Sequence, residues 1–280
     1  MAALDPRIHP FRPEIAASHL KGKVEVARFV DGTHYQVIEP ATYLRREPSH
    51  EARVDTEALF GEQVTVYEIS EEGWAWGQLA SDGYVGWLSA NALVEPGPAV
   101  THRVRVPRTL CFASTDIKRS PLAALPMGAA LRIARQDESF AVTDSGWHVP
   151  AAHLAPLAVH ADDFVAIAEA FLGAPYLWGG KTSLGIDCSG LVQMALQMAG
   201  HACPRDSDMQ EAALGKPAAL AELRRGDLIF WKGHVAIARD AESLVHANAH
   251  AMMVAIEPAK DAIARIEAAG SGVTGVKRIG

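Results

Sequence analysis

At 280 residues the chain exceeds one ordinary domain, so two or three compact units are expected, each large enough to bury a core. Hydrophobic residues at 49% with charged residues at 21% fit a soluble globular chain and exclude long disorder, and no run approaches the roughly 18 apolar residues of a spanning helix. A net charge of −7, with the 26 Lys and Arg scattered rather than gathered into a stripe, excludes a nucleic-acid face.

The first residues, Met-Ala-Ala-Leu-Asp-Pro-Arg-Ile-His-Pro, lack a basic region followed by an apolar one, so the expectation is a cytoplasmic protein without a membrane partner. Three cysteines, Cys111, Cys188 and Cys203, are too few for a disulfide framework and suit a reducing compartment. No Cys-x-x-Cys occurs, which removes a zinc ribbon or a thioredoxin-like redox pair.

Residues 1–23 read as an N-terminal extension. Residues 24–96 read as a small all-β unit of short strands, such as Gln63–Tyr67 and Trp74–Leu79, divided by Gly, Asp and Glu turn signals. Pro-Gly-Pro at 96–98 breaks the pattern as a linker does, and a second short-strand region occupies 100–158. The two regions end alike, with Gly86-Trp87-Leu88-Ser89-Ala90-Asn91-Ala92-Leu93 echoed sixty positions later by Gly146-Trp147-His148-Val149-Pro150-Ala151-Ala152-His153-Leu154. Their tryptophans are expected to fill the centres of small barrels, although an aromatic at a barrel mouth can also hold a ligand.

From 162 the texture becomes helical. Phe164, Ile167, Ala168, Phe171 and Leu172 recur at helical spacing behind the capping pair Asp162-Asp163, and Gly173 and Pro175 stop that helix. A second helix follows Asp187, with Leu191, Val192, Ala195, Leu196 and Ala199 on one face, Gly200 at its end and Cys188 in its first turn. Asp227–Trp231, His234–Ala238 and Leu244–Ala247 read as adjacent strands, and 273–279 as a last one. Helices followed by strands over 162–280 suggest an α+β domain.

A cysteine is usually an inert small hydrophobe. Gly185-Ile186-Asp187-Cys188-Ser189-Gly190-Leu191 places the Cys188 sulfur at a helix N-terminus, where the positive end of the helix dipole favours thiolate, and the small neighbours leave room for substrate. Cys111 and Cys203 lack that setting and read as structural. A thiol nucleophile needs an imidazole and a third group to hold it. His234 and His246 qualify if their strands form a hairpin centred on Asp240, which sets 234 opposite 246 on one face. His246-Ala-Asn-Ala-His250 is not a metal site if the chain continues extended through 251–256, since residues four apart then stand roughly 13 Å from each other.

These residues resemble the NlpC family of papain-like cell-wall cysteine peptidases. The resemblance rests on Tyr176-Leu177-Trp178-Gly179-Gly180, Asp187-Cys188-Ser189-Gly190-Leu191, Gly226-Asp227-Leu228-Ile229-Phe230, His234-Val235-Ala236-Ile237 and Val245-His246-Ala247, and it spans 162–280. It implies Cys188 as nucleophile, His234 as its base and His246 orienting that base, with no cofactor and no metal. The β units at 24–96 and 100–158 resemble bacterial SH3-like barrels, giving a multidomain chain of two such barrels and a papain-like α+β peptidase domain. The whole layout resembles the γ-D-glutamyl-L-diamino acid endopeptidases of murein recycling, which release L-Ala-γ-D-Glu from peptidoglycan peptides with a free N-terminal L-alanine. By that resemblance Asp206 and Ser207 recognise the substrate's ammonium, Tyr176, Asp187 and Ser189 line the substrate site, and the first barrel lends Tyr84 and Glu62. Read from residues alone, Asp206 is equally a helix cap and Tyr84 a surface turn residue. The rival readings are an amidase or acyltransferase using the same thiol and imidazoles, or a wall-binding protein with an inactive peptidase domain; the oligomeric state is left open.

Overall fold

The computed structural model describes residues 4–280, so the first three residues of the expected extension lie outside the described residues. The chain divides into two compact units, Met1–Leu157 and Ala158–Gly280.

In the first unit, seven antiparallel strands form one sheet: β1 (Thr33–Val37), β2 (Ala41–Arg45), β3 (Val54–Leu59), β4 (Gln63–Ile69), β5 (Trp74–Leu79), β6 (Val85–Ser89) and β7 (Leu93–Val94), in the order β7-β1-β4-β5-β6-β2-β3. The period of two decides its core: Val64 and Val66 of β4, Ala75 and Leu79 of β5 and Leu88 of β6 meet Val37, Leu44, Ala58 and Tyr84 inside. The same alternation sends Trp74, Trp76 and Trp87 to the other face, where they cluster with Ile15 and Val85. For Trp87 the expectation of a place in the barrel centre is therefore corrected. All three are buried because the N-terminal segment covers them: the Arg12 guanidinium lies 4.6 Å from both the Trp76 and the Trp87 rings, and the Val85 amide donates to the Arg7 carbonyl. Residues 4–23 are thus packed structure rather than a loose extension.

The second β region has its own core of Val104, Cys111, Leu125, Leu131, Ala141, Val149 and Leu154. It joins the first within one compact unit, with the Ala130 amide donating to the Phe60 carbonyl and Trp147, 5.6 Å from Phe60, partly buried against that core as expected of it. The repeated endings noted in the sequence adopt one form, a strand, a single 3-10 turn and a strand: Val85–Ser89, Ala90–Ala92 and Leu93–Val94 in the first, His148–Pro150, Ala151–His153 and Leu154–Pro156 in the second.

The second unit begins with α1 (Phe164–Glu169), capped by the Asp163 carboxylate, which accepts from the Val165 amide. This helix is shorter than its apolar spacing predicts, and Leu172 ends 46% exposed. Next come α2 (Cys188–Met198) and α3 (Ser207–Ala213), then an antiparallel sheet of β8 (Lys216–Pro217), β9 (Asp227–Trp231), β10 (His234–Ala238), β11 (Ser243–Asn248), β12 (Met253–Pro258) and β13 (Val273–Arg278). The sheet order is β8-β13-β9-β10-β11-β12. Four strands meander from Asp227 to Pro258, then α4 (Ala259–Ala268), which the sequence reading did not anticipate, carries the chain back so that β13 pairs with β9. Nearly every position of α2 is buried, which is how a helix apolar on all sides behaves when elements pack around it.

The strand expected through 251–256 is instead the return arm of a hairpin. β11 ends at Asn248, the chain turns with Met252 at φ 53°, and β12 pairs antiparallel with β11, His246 opposite Ala255. His250 is left exposed in the turn.

Candidate active site

The position of Cys188 is fixed by Asp187, the residue before it. Its carboxylate caps α2 by accepting from the Gly190 amide at 2.7 Å, accepts from the Gly179 amide at 2.7 Å, and takes both Arg205 guanidinium nitrogens at 2.9 and 2.8 Å. Arg205 is 1% exposed and also donates to the Ser189 hydroxyl at 2.9 Å. A Cβ on Gly190 would stand 2.3 Å from the Gly180 carbonyl oxygen, so the glycine of the Asp-Cys-Ser-Gly segment is required by a close backbone approach. Asp187 and Ser189, expected to line the substrate site, are buried and engaged with each other, with Arg205 and with main chain. Their groups build the platform under Cys188, because a carboxylate bonded on both oxygens to protein donors is satisfied without substrate.

The Cys188 side chain is buried, and the thiol is pushed up to about 12 by that burial first and by the neighbouring Asp187 charge second. Backbone N–H groups of Val235 and Ser189, together with the Arg205 charge, oppose the shift without overcoming it. Burial thus works against the helix N-terminus, whose dipole favours thiolate.

The Val235 amide is free to reach the sulfur for a reason readable in the ladders. Trp231 pairs with His234 across a two-residue turn, and by antiparallel alternation the next amide, Val235, points away from β9 toward β11. The β10–β11 pairing runs only over Ile237↔Val245 and Ala238↔Leu244. Where the strands part, the sulfur meets the amide next in sequence to His234.

That register differs from the expected one. A hairpin centred on Asp240 sets His234 opposite His246, whereas the observed pairs centre on residue 241, so that continuing the register sets His246 beside Ala236. A slip of two residues keeps every side chain on its face, and the histidines become diagonal neighbours. Their rings still meet, with His234 Nε2 3.0 Å from His246 Nδ1. One strand further, Glu257 is again the diagonal neighbour, and its Oε2 lies 3.1 Å from His246 Nε2. Arg265 of α4 grips the same carboxylate, donating from Nε at 3.1 Å and from Nη2 at 2.6 Å.

This chain of contacts assigns the ring protons. Glu257 only accepts, so His246 carries its proton on Nε2 and offers Nδ1 as acceptor; His234 then donates from Nε2 and keeps Nδ1 as the lone pair that can receive a thiol proton. Burial holds His234 down at about 3, with His246 and Arg265 adding to the effect, and burial also lowers His246 against the pull of Glu257. Both rings are neutral near pH 7. Trp231, 2% exposed, packs its indole 5.5 Å from the His234 ring and shields the imidazole pair from water.

Of the remaining expected site residues, Tyr176 is half-buried, and its phenol is raised by burial first, then by the charges of Cys188 and Asp187. Asp206 holds the N-cap position of α3 without making a side-chain capping bond, and Ser207, half-buried, opens that helix. In the first unit Tyr84 belongs to the sheet's core at 3% exposure, not to a surface turn, because its ring completes the apolar interior. Glu62 accepts from the Leu59 amide at 3.0 Å and from the Ser81 hydroxyl. The sequence reading missed Arg205, Trp231, Glu257 and Arg265. Only Glu257 left a signal: once the turn at 249–252 is allowed, alternation along 253–258 puts it on the face of His246.

A thiol at a helix start, on a helix that packs against the strands carrying two imidazoles in series, supplies the groups that a thiol peptidase uses. The family comparison agrees: residues 173–267 match the NlpC/P60 family and residues 44–93 match the bacterial dipeptidyl-peptidase Sh3 domain, so the chain carries an NlpC/P60 domain together with a bacterial SH3 domain. The chain is similar to the gamma-D-glutamyl-L-lysine dipeptidyl-peptidase of Bacillus subtilis (strain 168), 31% identical over 64% of this chain and 64% of that one. It is also similar to dipeptidyl-peptidase 6 of Lysinibacillus sphaericus, 27% identical over 76% of this chain and 86% of the relative. The fold is that of an NlpC/P60 family protein from Bacillus cereus ATCC 10987, with a TM-score of 0.74 at 20% identity, covering 88% of this chain and 99% of the other. No helix among the described residues is long and apolar enough to cross a membrane.

Proposed function

We propose that this protein is a cysteine peptidase that hydrolyses the bond between γ-D-Glu and the following diamino acid in peptidoglycan stem peptides bearing a free N-terminal L-Ala, releasing L-Ala-γ-D-Glu. The observation that carries the reading is that the Cys188 thiol meets the backbone amide of Val235, the residue that follows His234, while His234 heads the hydrogen-bonded His234–His246–Glu257 series. The names of the relatives above, both dipeptidyl-peptidases and one of them a gamma-D-glutamyl-L-lysine dipeptidyl-peptidase, support the substrate class.

In this reading both reacting groups rest uncharged. As the sulfur attacks the peptide carbonyl, its proton moves to His234 Nδ1, and the new imidazolium is stabilised through Nε2–H on His246. The Cys188 backbone N–H at the start of α2 faces the developing oxyanion. His234 returns the proton to the leaving amine, and water then cleaves the acyl-enzyme with the same ring as base.

Asp206 and Ser207, at the start of α3, are assigned to the substrate's ammonium. An acylated terminus carries no ammonium charge to offer the Asp206 carboxylate, which disfavours blocked or internal peptides. Residues 100–158 are read as a second SH3-like unit on the strength of the shared strand, 3-10 turn and strand ending. A place in murein recycling follows from the product, and three buried cysteines that form no disulfide suit a reducing compartment.

Mass spectrometry of products from defined L-Ala-γ-D-Glu-diamino acid peptides tests the proposal, with L-Ala-γ-D-Glu as the expected product. Acetylating the alanine should suppress cleavage; an unchanged rate removes the ammonium site. A product carrying an added amine in place of water would instead make the protein an acyltransferase.

A further inference from the structure

Glu257 and Arg265 lie beyond the three residues that a thiol peptidase needs, yet they continue the hydrogen-bonded series from the thiol's base. Three adjacent strands deliver it. His234 on β10, His246 on β11 and Glu257 on β12 share one face of the sheet, each a diagonal neighbour of the last, and α4 brings Arg265 onto the carboxylate. An ion pair whose side chains are 29% and 19% exposed adds little to stability on its own. The pair's geometry is nevertheless demanding: Glu257 Oε2 accepts from His246 Nε2 and from Arg265 Nη2, while Oε1 accepts from Arg265 Nε.

We propose that Glu257, braced by Arg265, is a positioning residue that sets the tautomer of the histidine pair, holding His246 as the Nε2–H form and thereby leaving His234 Nδ1 unprotonated toward the Cys188 thiol. The inference rests on the assignment of Cys188 and His234 as nucleophile and base. Without a fixed acceptor at Nε2, His246 can carry its proton on Nδ1 instead, and His234 must then turn its own lone pair toward it, which puts a proton where the thiol needs an acceptor. Glu257 also places a negative charge two hydrogen bonds from the imidazolium that forms on attack. The charged groups that act on the pair are Glu257 from β12 and Arg265 from α4.

The test uses the full chain and two readouts, peptide turnover and the rate at which iodoacetamide alkylates Cys188 between pH 5 and 9. Glu257→Gln is expected to lower kcat and the alkylation rate at pH 7 by about tenfold each, with KM within about twofold. Glu257→Asp should recover part of the loss, and Arg265→Met should lower kcat less than Glu257→Gln does. Equal kcat and equal alkylation in Glu257→Gln and the parent would overturn the proposal. If the parent alkylates with this dependence but does not cleave the peptide, the substrate assignment fails and the positioning role stands. A variant that fails to fold does not block the test, because ¹⁵N-histidine spectra of the Cys188→Ala chain read the tautomers directly. Protonated Nε2 on both rings is expected, and a proton on His246 Nδ1 refutes the inference.

Discussion

On the nucleophile side of the site, the Arg205 and Asp187 side chains are 1% and 9% exposed, and their bonds run to the Gly179 and Gly190 amides and the Gly180 carbonyl. On the base side, the Arg265 and Glu257 side chains are 29% and 19% exposed, and the carboxylate bonds a ring nitrogen. Both are arginine–carboxylate pairs, but the buried one shapes main chain and the half-exposed one orients a side chain. Removing one partner of a fully buried pair strands a charge in a low dielectric, whereas at the rim water replaces the missing partner. The comparison therefore predicts that damage on the nucleophile side appears as lost stability, and damage on the base side as lost rate.

The largest effect lies where the two sides meet. Cys188→Ala should reduce turnover by at least about four orders of magnitude while circular dichroism and melting temperature stay close to the parent, because a small buried side chain replaces another; retained turnover would break the assignment. Arg205→Ala should cost about 3–5 kcal/mol in urea unfolding, since it leaves the Asp187 carboxylate buried without its counter-ion. A loss under about 1 kcal/mol would show that water enters this pocket and would erase the contrast.

His246→Ala should lower kcat by about a hundredfold, the usual scale for a group that supports a general base, with a smaller relative change in stability. Acid supplies a subtler probe. His234 is held down at about 3 and His246 is also lowered, so below the unfolded value of 6.5 the unfolded chain binds protons that the folded chain refuses. Stability should be full above pH 6.5 and fall as the pH drops toward 3, and His234→Gln should make that slope shallower. The Cys188 thiol works at the other end: its folded value of about 12 lies above the ordinary 9.0, so its contribution is lost as pH rises from 9 toward 12. The smallest effect is expected for Arg265→Ala, within about 1 kcal/mol in unfolding; a loss as large as that of Arg205→Ala would collapse the distinction between the two pairs.

The sequence by itself determined what is local. The start of α2 at Cys188, its Asp187 cap and the strands at 227–231 and 234–238 follow from capping chemistry and from periods of 3.6 and 2, which need no knowledge of distant chain. The shared face of His234 and His246 survived an error of two residues in register for the same reason, since alternation depends only on parity. What tertiary structure alone decided is where charges and large rings go. The three tryptophans lie outside the sheet's core because the N-terminal segment covers them. The thiol is pushed up by burial in spite of its place at a helix start. Arg205, 18 residues from Asp187, and Arg265, 19 from His246, reach the site through packing of separate elements, and neither separation carries a periodic signal. Desolvation and ion pairing are properties of an enclosed volume, and a linear chain has none until it folds.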